Sequence, residues 1–342
     1  VSHDYLPYLP KVIYIIFLHF SSITAMEDYY NILEYPMRVI SLVFFSLTLI
    51  LGVPGNAFVV YVAGLKMKRT VNTVGFLSLA ISDLLCCLLT IYYLIGSKFD
   101  DYWPYGSTSC KIFHFVLHIT MFASVFTLNL ISLDRFALVI TPVWAHNHRS
   151  LFIARLSCAA AWILALIISL PFMMSREIYT ENNETYCVHY QADIVHLKIY
   201  RRLSIIRFVF GFLVPLMCIT TSYGFIARKL GRRHFNSGRA FRIMLAVILA
   251  FFLCWLPYHI VDLIIIYREK SSSLVAFAVD PLAVALAYFN SCLNPILYVF
   301  MGQDFKSNVK LSLRRVFERV FSEEGTQMTQ TTQSQSQQTH SL

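Results

Sequence analysis

Charged residues are scarce in this chain of 342 residues: they make up 14% of it, whereas hydrophobic residues make up 57%. The mean hydropathy is +0.60, which no ordinary soluble domain shows. The formal net charge of +9 could point to nucleic acid, but the basic residues lie in short connectors between apolar runs, where the positive-inside rule places them. The composition therefore predicts an integral membrane protein with no nucleic-acid partner.

Signals for catalysis and for transport are lacking as well. The chain shows no nucleophile–base pair and no cluster of metal ligands, and its eleven histidines are scattered over apolar stretches and connectors. A transporter or channel would show inverted repeats, paired broken helices or several charges at mid-membrane depth, whereas only Asp83 is deep. These absences argue against an enzyme, a transporter and a channel.

Seven apolar stretches are long enough to cross a bilayer at about 20 residues per span. They comprise residues 38–65, 74–95, 109–140, 153–174, 204–227, 241–267 and 274–301. Basic residues gather in the first, third and fifth connectors, which indicates an N-terminus outside the cell and a C-terminus in the cytoplasm. The predicted fold is an all-α membrane protein with four parts: an extracellular tail (1–37), a seven-helix bundle (38–302), an amphipathic surface helix (303–321) and a disordered tail (322–342).

The N-terminal residues allow two interpretations. Residues 12–20 form a short apolar run behind Lys11 that could be a signal-peptide core, although no clear small-residue cleavage pattern follows. Alternatively, Met26 is the true start and the preceding residues are upstream translation, which is the interpretation that we favour. The acidic and aromatic residues 27–35 form either a solvated tail or a site of tyrosine sulfation that helps to recruit a basic ligand.

Polar residues interrupt the apolar stretches at mid-membrane depth. In the seventh stretch, Pro295 frees a backbone carbonyl that nearby polar side chains must satisfy, which predicts a bendable and hydrated helix. A set of oxygen-bearing side chains could bind a small cation such as sodium, because hard ions prefer such ligands. The set comprises Asp83, Ser124, Asn290, Ser291 and Asn294. The alternative is a purely structural hydrogen-bond network.

Asp134 and Arg135 end the third stretch on its cytoplasmic side. The arginine either extends toward the head groups or is held by its carboxylate neighbour until another contact replaces that one. In the sixth stretch, Pro257 lets the cytoplasmic half of the helix swing, with Trp255 as the packed residue that must shift first. The residues assigned to an activation switch are Asp134, Arg135, Tyr223, Phe251, Trp255, Asn294, Pro295 and Tyr298.

Two cysteines lie on the outer side of the predicted bundle. Cys110 opens the third stretch, and Cys187 lies in the connector between the fourth and fifth, shortly after a glycosylation sequon at Asn183. The other six cysteines lie within apolar stretches, where buried thiols are usually inert. We therefore predict one disulfide bond, between Cys110 and Cys187, that fixes the longest outer loop over the mouth of the bundle.

Charged residues near the outer side indicate a ligand pocket. Arg207 lies so deep in the fifth stretch that its guanidinium cannot reach the head groups without a large free-energy cost. It therefore needs an anion inside the bundle, and Asp280 is the expected partner when no ligand is bound. Arg176 either lines the same pocket or extends to the head groups. The floor of the pocket would comprise Trp255, Tyr258 and His259.

The residues after the seventh stretch are amphipathic and then low in complexity. Residues 304–321 alternate apolar and basic side chains at helical spacing, which suits a helix lying on an anionic leaflet. No cysteine follows Cys292, so palmitoylation of this helix is excluded. The tail is either a plain solubilising segment or a substrate for multi-site phosphorylation. The predicted phosphorylation sites are Thr326, Thr329, Thr331, Thr332, Ser334 and Ser336.

Seven marker residues, one in each stretch, together resemble the pattern of the rhodopsin-like (class A) G-protein-coupled receptors. The markers are Asn56, Asp83, Arg135, Trp162, Pro215, Pro257 and Pro295. Segments 66–72, 142–149, 207–211, 251–255 and 290–305 are similar to the chemoattractant subgroup, which includes the formyl-peptide, chemerin and complement anaphylatoxin receptors. The resemblance implies a peptide or protein agonist, an inhibitory-class G protein, receptor kinases and arrestin as partners, and a role in chemotaxis and inflammation. It also implies that a carboxylate of such an agonist would bind Arg207 and that a basic group would bind Asp280.

Some positions depart from patterns within this family. Ile91 stands where the subgroup usually has a proline, and Thr120 stands where many relatives have an asparagine near the cation pocket. No lysine lies between Lys270 and Lys306, which excludes a retinal Schiff base in the seventh stretch, and Leu117 stands where amine receptors have an aspartate. The alternative within the fold is a non-signalling scavenger receptor, against which the intact switch residues argue.

Overall fold

The computed structural model describes residues 32–96, 103–181, 184–189, 194–235, 239–267 and 270–301. Several predicted features lie outside these ranges: residues 1–31, the sequon at Asn183, the surface helix (303–321) and the tail with its phosphorylation sites. The side chain of Tyr298 is also outside the described part.

Seven helices in the described part are long and apolar enough to cross a membrane, which confirms the predicted fold class. These spans, numbered first to seventh, are Ile32–Lys66, Val71–Ile95, Gly106–Ile140, Leu151–Met174, Lys198–Lys229, Leu245–Tyr267 and Leu274–Pro295. The first helix already includes residues 32–37, which the sequence assigned to the tail. Hydropathy did not show this start because Glu34, Pro36 and Arg38 are poor lipid-facing residues, and a helix can extend beyond the hydrocarbon.

The helices contain local irregularities, two of which precede prolines. The first span begins with α-helix over residues 32–47. The further α-helical bounds are Val53–Tyr61, Val71–Gly96, Gly106–Ile140, Pro142–His148, Leu151–Met174, Ile194–Phe208, Val214–Phe235, Arg239–Tyr267 and Lys270–Met301. The π-helical segments Thr48–Gly52 and Val209–Leu213 precede Pro54 and Pro215. Because proline lacks an N–H group, the carbonyl four residues earlier loses its α-helical partner and the turn widens. A further π-helical segment, Val62–Lys66, ends the first span.

Two antiparallel strands, β1 (Arg176–Glu181) and β2 (Glu184–His189), follow the fourth span. The sequence predicted only a loop there, although both strands contain β-branched and aromatic residues, which are a signal for strands. The backbone N–H of Trp103 donates to the carbonyl of Thr185, and the Thr185 hydroxyl donates to the Trp103 carbonyl at 2.7 Å. Gly106, with φ of 77°, lets the chain turn into the third span. The hairpin is thus fixed to the start of that span.

Small residues let the first, second and seventh spans approach closely. A Cβ atom on Gly52 would overlap the Cys87 sulfur and would lie 3.2 Å from Cβ of Cys292. A Cβ atom on Gly55 would lie 3.0 Å from Cβ of Pro295. Since lipid supplies no hydrophobic attraction between helices, such close van der Waals packing is a main source of their association.

A polar bridge joins the second, third and fourth spans. The indole Nε1 of Trp162 donates to the Ser78 hydroxyl at 3.0 Å, and that hydroxyl lies 3.0 Å from Oγ1 of Thr127. The packing of these spans therefore has a hydrogen-bonded component as well as an apolar one.

Candidate functional site

A cavity of about 530 Å³ opens at the end of the bundle that carries the disulfide bond. We call this end the outer end, the opposite end the inner end, and the cavity the outer cavity. The predicted bond between Cys110 and Cys187 is present, with Cα atoms 5.7 Å apart, and Cys187 lines the cavity. A volume of this size is typical of a ligand site. Its charged lining residues are Arg38, Arg176, Arg207, Asp262 and Asp280.

The buried cation of this cavity is paired differently from the prediction. Nη2 of Arg207 lies 2.6 Å from Oδ2 of Asp262, and the two side chains are only 4% and 7% exposed. Tyr200 donates to Oδ1 of Asp262 at 3.1 Å, and the guanidinium lies 4.8 Å from the ring centre of Tyr258. The prediction that Asp280 is the ion-pair partner of Arg207 is therefore wrong. Asp262 precedes the end of the sixth span, and its carboxylate was the signal that sequence reasoning missed.

Arg176 and Asp280 line the same cavity without such compensation. Within the described residues neither has an ion-pair partner, and Nε of Arg176 is buried without a hydrogen bond. Removal from water lowers the pKa of the Arg176 guanidinium to about 10, so the group is still charged at neutral pH. The cavity therefore presents one cation and one anion that a ligand could satisfy.

Aromatic residues form the floor of the outer cavity, but one predicted member is absent from it. Trp255 and Tyr258 line the cavity, as predicted. His259 does not: its side chain is 1% exposed and packs against the rings of Phe208 and Phe212 at 5.7 and 4.9 Å. The residue lies one helical position beyond Tyr258, which turns it toward the fifth span. His259 is therefore a packing residue behind the site.

Two histidines that the sequence analysis left unassigned line the outer cavity, His114 and His118. Their Nδ1 atoms lie 2.9 and 2.7 Å from the carbonyl oxygens of Cys110 and His114. Because a carbonyl only accepts, each Nδ1 carries the proton of the neutral ring and Nε2 is the acceptor. The spacing of four residues on a helix was the available signal that both rings share one face.

Polar side chains meet midway along the bundle. Nδ2 of Asn294 donates to Oδ2 of Asp83 at 2.6 Å, and Ser291 also contacts this carboxylate. Within the described part, Oγ of Ser124 and the Oδ1 atoms of Asn290 and Asn294 are buried without hydrogen-bond partners. The second, third and seventh spans thus supply oxygen atoms of the kind that a hard cation binds.

The predicted charge pair at the inner end is part of a larger group, which we call the inner cluster: Asn72, Asp134, Arg135 and Arg149. Nε and Nη2 of Arg149 donate to the two oxygens of Asp134 at 2.8 and 3.2 Å. Oδ1 of Asn72 accepts from Arg135 at 2.5 Å and from Arg149 at 2.8 Å. Nε of Arg135 is 3.9 Å from Asp134. Asn72 and Arg149, which the sequence analysis did not assign, are therefore the closer partners of the predicted pair.

The remaining switch residues lie along the core between the two ends. Phe251 and Trp255 stack with ring centres 5.8 Å apart, and both belong to the main apolar cluster together with Tyr223. Pro257 and Pro295 lie inside their helices. The packing therefore runs without a break from the floor of the outer cavity toward the inner half of the bundle.

Residues 55–298 match the family model of the 7 transmembrane receptor (rhodopsin family). The chain is 66% identical over 306 residues to the C3a anaphylatoxin chemotactic receptor of Danio rerio, covering 90% of this chain and 83% of the relative. It is 50% identical over 293 residues to the C3a anaphylatoxin chemotactic receptor of Oncorhynchus mykiss, covering 84% and 80%. It is 41% identical over 284 residues to the C5a anaphylatoxin chemotactic receptor 1 of Danio rerio, covering 81% of each. The predicted subgroup is thereby confirmed.

Replacing either Cys110 or Cys187 by alanine should destabilise the outer end, because the bond holds the hairpin against the third span. Loss of a native disulfide typically costs about 2 to 5 kcal/mol. The measurement is the melting temperature of the purified protein in detergent, with Cys218→Ala, a free cysteine of the fifth span, as the control. Melting of the single variants at the control's temperature would contradict the structural role of the bond.

Proposed function

The chain belongs to the rhodopsin family of seven-transmembrane receptors, and we propose that it binds an anaphylatoxin of the C3a type and activates an inhibitory-class G protein to promote chemotaxis. Receptors of this family are multi-pass plasma-membrane proteins that couple to G proteins, and they are not enzymes.

The charge pattern of the outer cavity is the observation that carries the proposal. Arg176 and Asp280 have opposite charges and lack ion-pair partners in the part of the chain that the structure describes. They complement a ligand end that carries both a carboxylate and a basic group. The relatives at 66% and 50% identity are named as C3a receptors, which favours that ligand over C5a, chemerin or formylated peptides.

The two arginines of the outer cavity contribute unequally to ligand binding in this proposal. Arg207 already has a close counter-ion in Asp262, so its attraction for a further anion is largely offset. Arg176 has no such counter-ion within the described residues and lines the same cavity. The ligand carboxylate therefore binds mainly to Arg176 and shares Arg207, while the basic ligand group binds Asp280.

The outer end is extracellular in this proposal, and the inner end is cytoplasmic. A disulfide bond between Cys110 and Cys187 forms in an oxidising compartment, whereas the basic connectors lie at the other end of the bundle. The N-terminus is then outside, and the surface helix and the tail are in the cytoplasm. There the inner cluster meets the G protein, and receptor kinases and arrestin act on the tail.

We also propose an allosteric sodium site midway along the bundle. Asp83 supplies the charge, and the buried oxygens of Ser124, Asn290 and Asn294, which have no hydrogen-bond partners in the described part, fit a hard cation. Ser291 contacts the same carboxylate. In this role the residues hold the second, third and seventh spans together in the resting receptor.

A ligand panel tests the proposed function. Cells that express the chain receive C3a, C5a, a chemerin C-terminal peptide or a formylated peptide, and ligand binding and G-protein dissociation are recorded together. The expected result is dissociation driven by C3a at the lowest concentration and abolished by pertussis toxin, which blocks the inhibitory class. Binding without dissociation would indicate the scavenger alternative, and no response to C3a would overturn the ligand assignment.

Arg176→Gln should remove the preference for a free carboxylate. We expect the potency of a C-terminal C3a peptide acid to fall by about 10- to 100-fold, the loss of about 1.5 to 3 kcal/mol typical of a charged hydrogen bond, while its amide changes little. The control is Arg202→Gln, which removes an exposed arginine of the fifth span that is not part of the cavity lining. Equal losses for acid and amide would remove Arg176 from carboxylate binding.

Asp262→Asn should act in the opposite direction, because it frees Arg207 while keeping an oxygen for the Tyr200 hydroxyl. We expect the acid peptide to gain about tenfold in potency, the equivalent of one charged hydrogen bond. Glu177→Gln, an exposed carboxylate of β1, is the control for the change in charge. A loss of potency for acid and amide alike would instead make Asp262 a direct partner of the ligand.

Asn72→Ala should raise activity without ligand, because the amide oxygen holds both arginines of the inner cluster. We expect basal nucleotide exchange to rise by about 3- to 10-fold, in line with the loss of about one hydrogen bond. The control is Asn129→Ala, which removes an asparagine whose amide donates to the carbonyl of Val125 in its own helix. Unchanged basal exchange at equal surface expression would show that the cluster does not restrain Arg135.

A further inference from the structure

A second cavity, of about 220 Å³, lies between the inner ends of the second, third and fourth spans and the loop helix Pro142–His148. We call it the inner cavity. It shares no lining residue with the outer cavity. Its volume is below the range of about 300 to 1,000 Å³ that is typical of sites for whole small ligands. An occupant would therefore place only part of itself inside.

The body of the inner cavity is apolar. Its walls include Gly75 and Phe76 of the second span, Ile131 of the third, and Ile153 and Ala154 of the fourth. A water molecule needs two to four polar partners, and the fourth span adds only the hydroxyl of Ser157 and the thiol of Cys158 to these apolar walls. The body of the cavity therefore fits hydrocarbon better than it fits water.

One end of the inner cavity is charged. All four residues of the inner cluster line it, and they bring two guanidinium groups against one carboxylate. Nε of Arg135 is buried without a hydrogen-bond partner in the described part of the chain. One positive charge of this end is therefore uncompensated, and the matching group is an anion.

The rim of the inner cavity connects it with the bilayer. Leu133, Trp144 and Ile153 line the cavity, and they are 45%, 56% and 46% exposed. These apolar side chains lie near the inner ends of the spans, at the level where aromatic residues mark the membrane interface. An occupant can thus extend from the charged end through the apolar body into the surrounding lipid.

We propose that the inner cavity binds an anionic phospholipid of the cytoplasmic leaflet, with its head group at the inner cluster and the start of one acyl chain against the apolar walls. Anionic lipids are concentrated in that leaflet. By balancing the charges of Arg135 and Arg149, the lipid stabilises the cluster in its resting arrangement. The bound lipid therefore lowers activity without ligand.

The test uses the full chain in nanodiscs of phosphatidylcholine, with or without phosphatidylserine. Ala154→Leu fills the apolar body without changing a charge, and Ala159→Leu, at an exposed position of the same span outside the lining, is the matched control. We expect phosphatidylserine to raise the melting temperature of the wild type and of Ala159→Leu by about 2 to 4 °C and to lower their basal nucleotide exchange. Ala154→Leu should show neither effect.

A second measurement needs no variant. Photoreactive phosphatidylserine in the same nanodiscs should form adducts within residues 153–158, and unlabelled phosphatidylserine should compete for them where phosphatidylcholine does not. A phosphatidylserine response in Ala154→Leu equal to that of the wild type, or the absence of competed adducts, would overturn the proposal. Stabilisation by oleate but not by phosphatidylserine would contradict phospholipid binding and would show that the cavity binds a free fatty acid.

Discussion

Charged and amide side chains at membrane depth must find their partners inside this bundle, because the hydrocarbon around it supplies none. The structure meets this constraint at three levels, each with a contact between different spans. From the outer end to the inner end, the contacts pair Arg207 with Asp262, Asp83 with Asn294, and Arg135 with Asn72. Each contact joins two spans. A ligand or effector that competes for one of these contacts therefore changes which arrangement of those two spans is the more stable.

Direct contacts along the sixth span lead inward from the outer level. The guanidinium of Arg207 lies over Tyr258, whose ring is 5.8 Å from that of Trp255, and Trp255 in turn stacks on Phe251. Pro257 lies within this series and weakens the helix at the point where it would bend. A change in the charge pairing of the outer cavity therefore acts on the residues that pack the hinge, which gives the coupling a physical route through named contacts.

Much of this architecture could be predicted because the signals are local. Apolar length set the seven spans, and the position of two cysteines on the outer side of the bundle predicted the disulfide. The partners across the bundle could not be predicted in the same way, since hydropathy fixes neither the rotation nor the depth of one helix relative to another. These two unknowns account for three differences from the prediction. Arg207 pairs with Asp262 and not with Asp280, Arg149 lies beside Asp134, and His259 packs away from the cavity. The cation site and the roles of the tail stay predictions.

The central claim is that a charged ligand end acts by rearranging the contacts of the outer cavity and thereby the inner cluster. A cryo-electron microscopy structure of the receptor with C3a and a G protein tests it most directly. The account predicts that a ligand carboxylate binds Arg176 and Arg207. It also predicts that the distance from Nη2 of Arg207 to Oδ2 of Asp262 exceeds the present 2.6 Å and that Arg135 no longer contacts Asn72. A bound ligand that leaves the arginines of the outer cavity without contact, with both pairs intact, would contradict it.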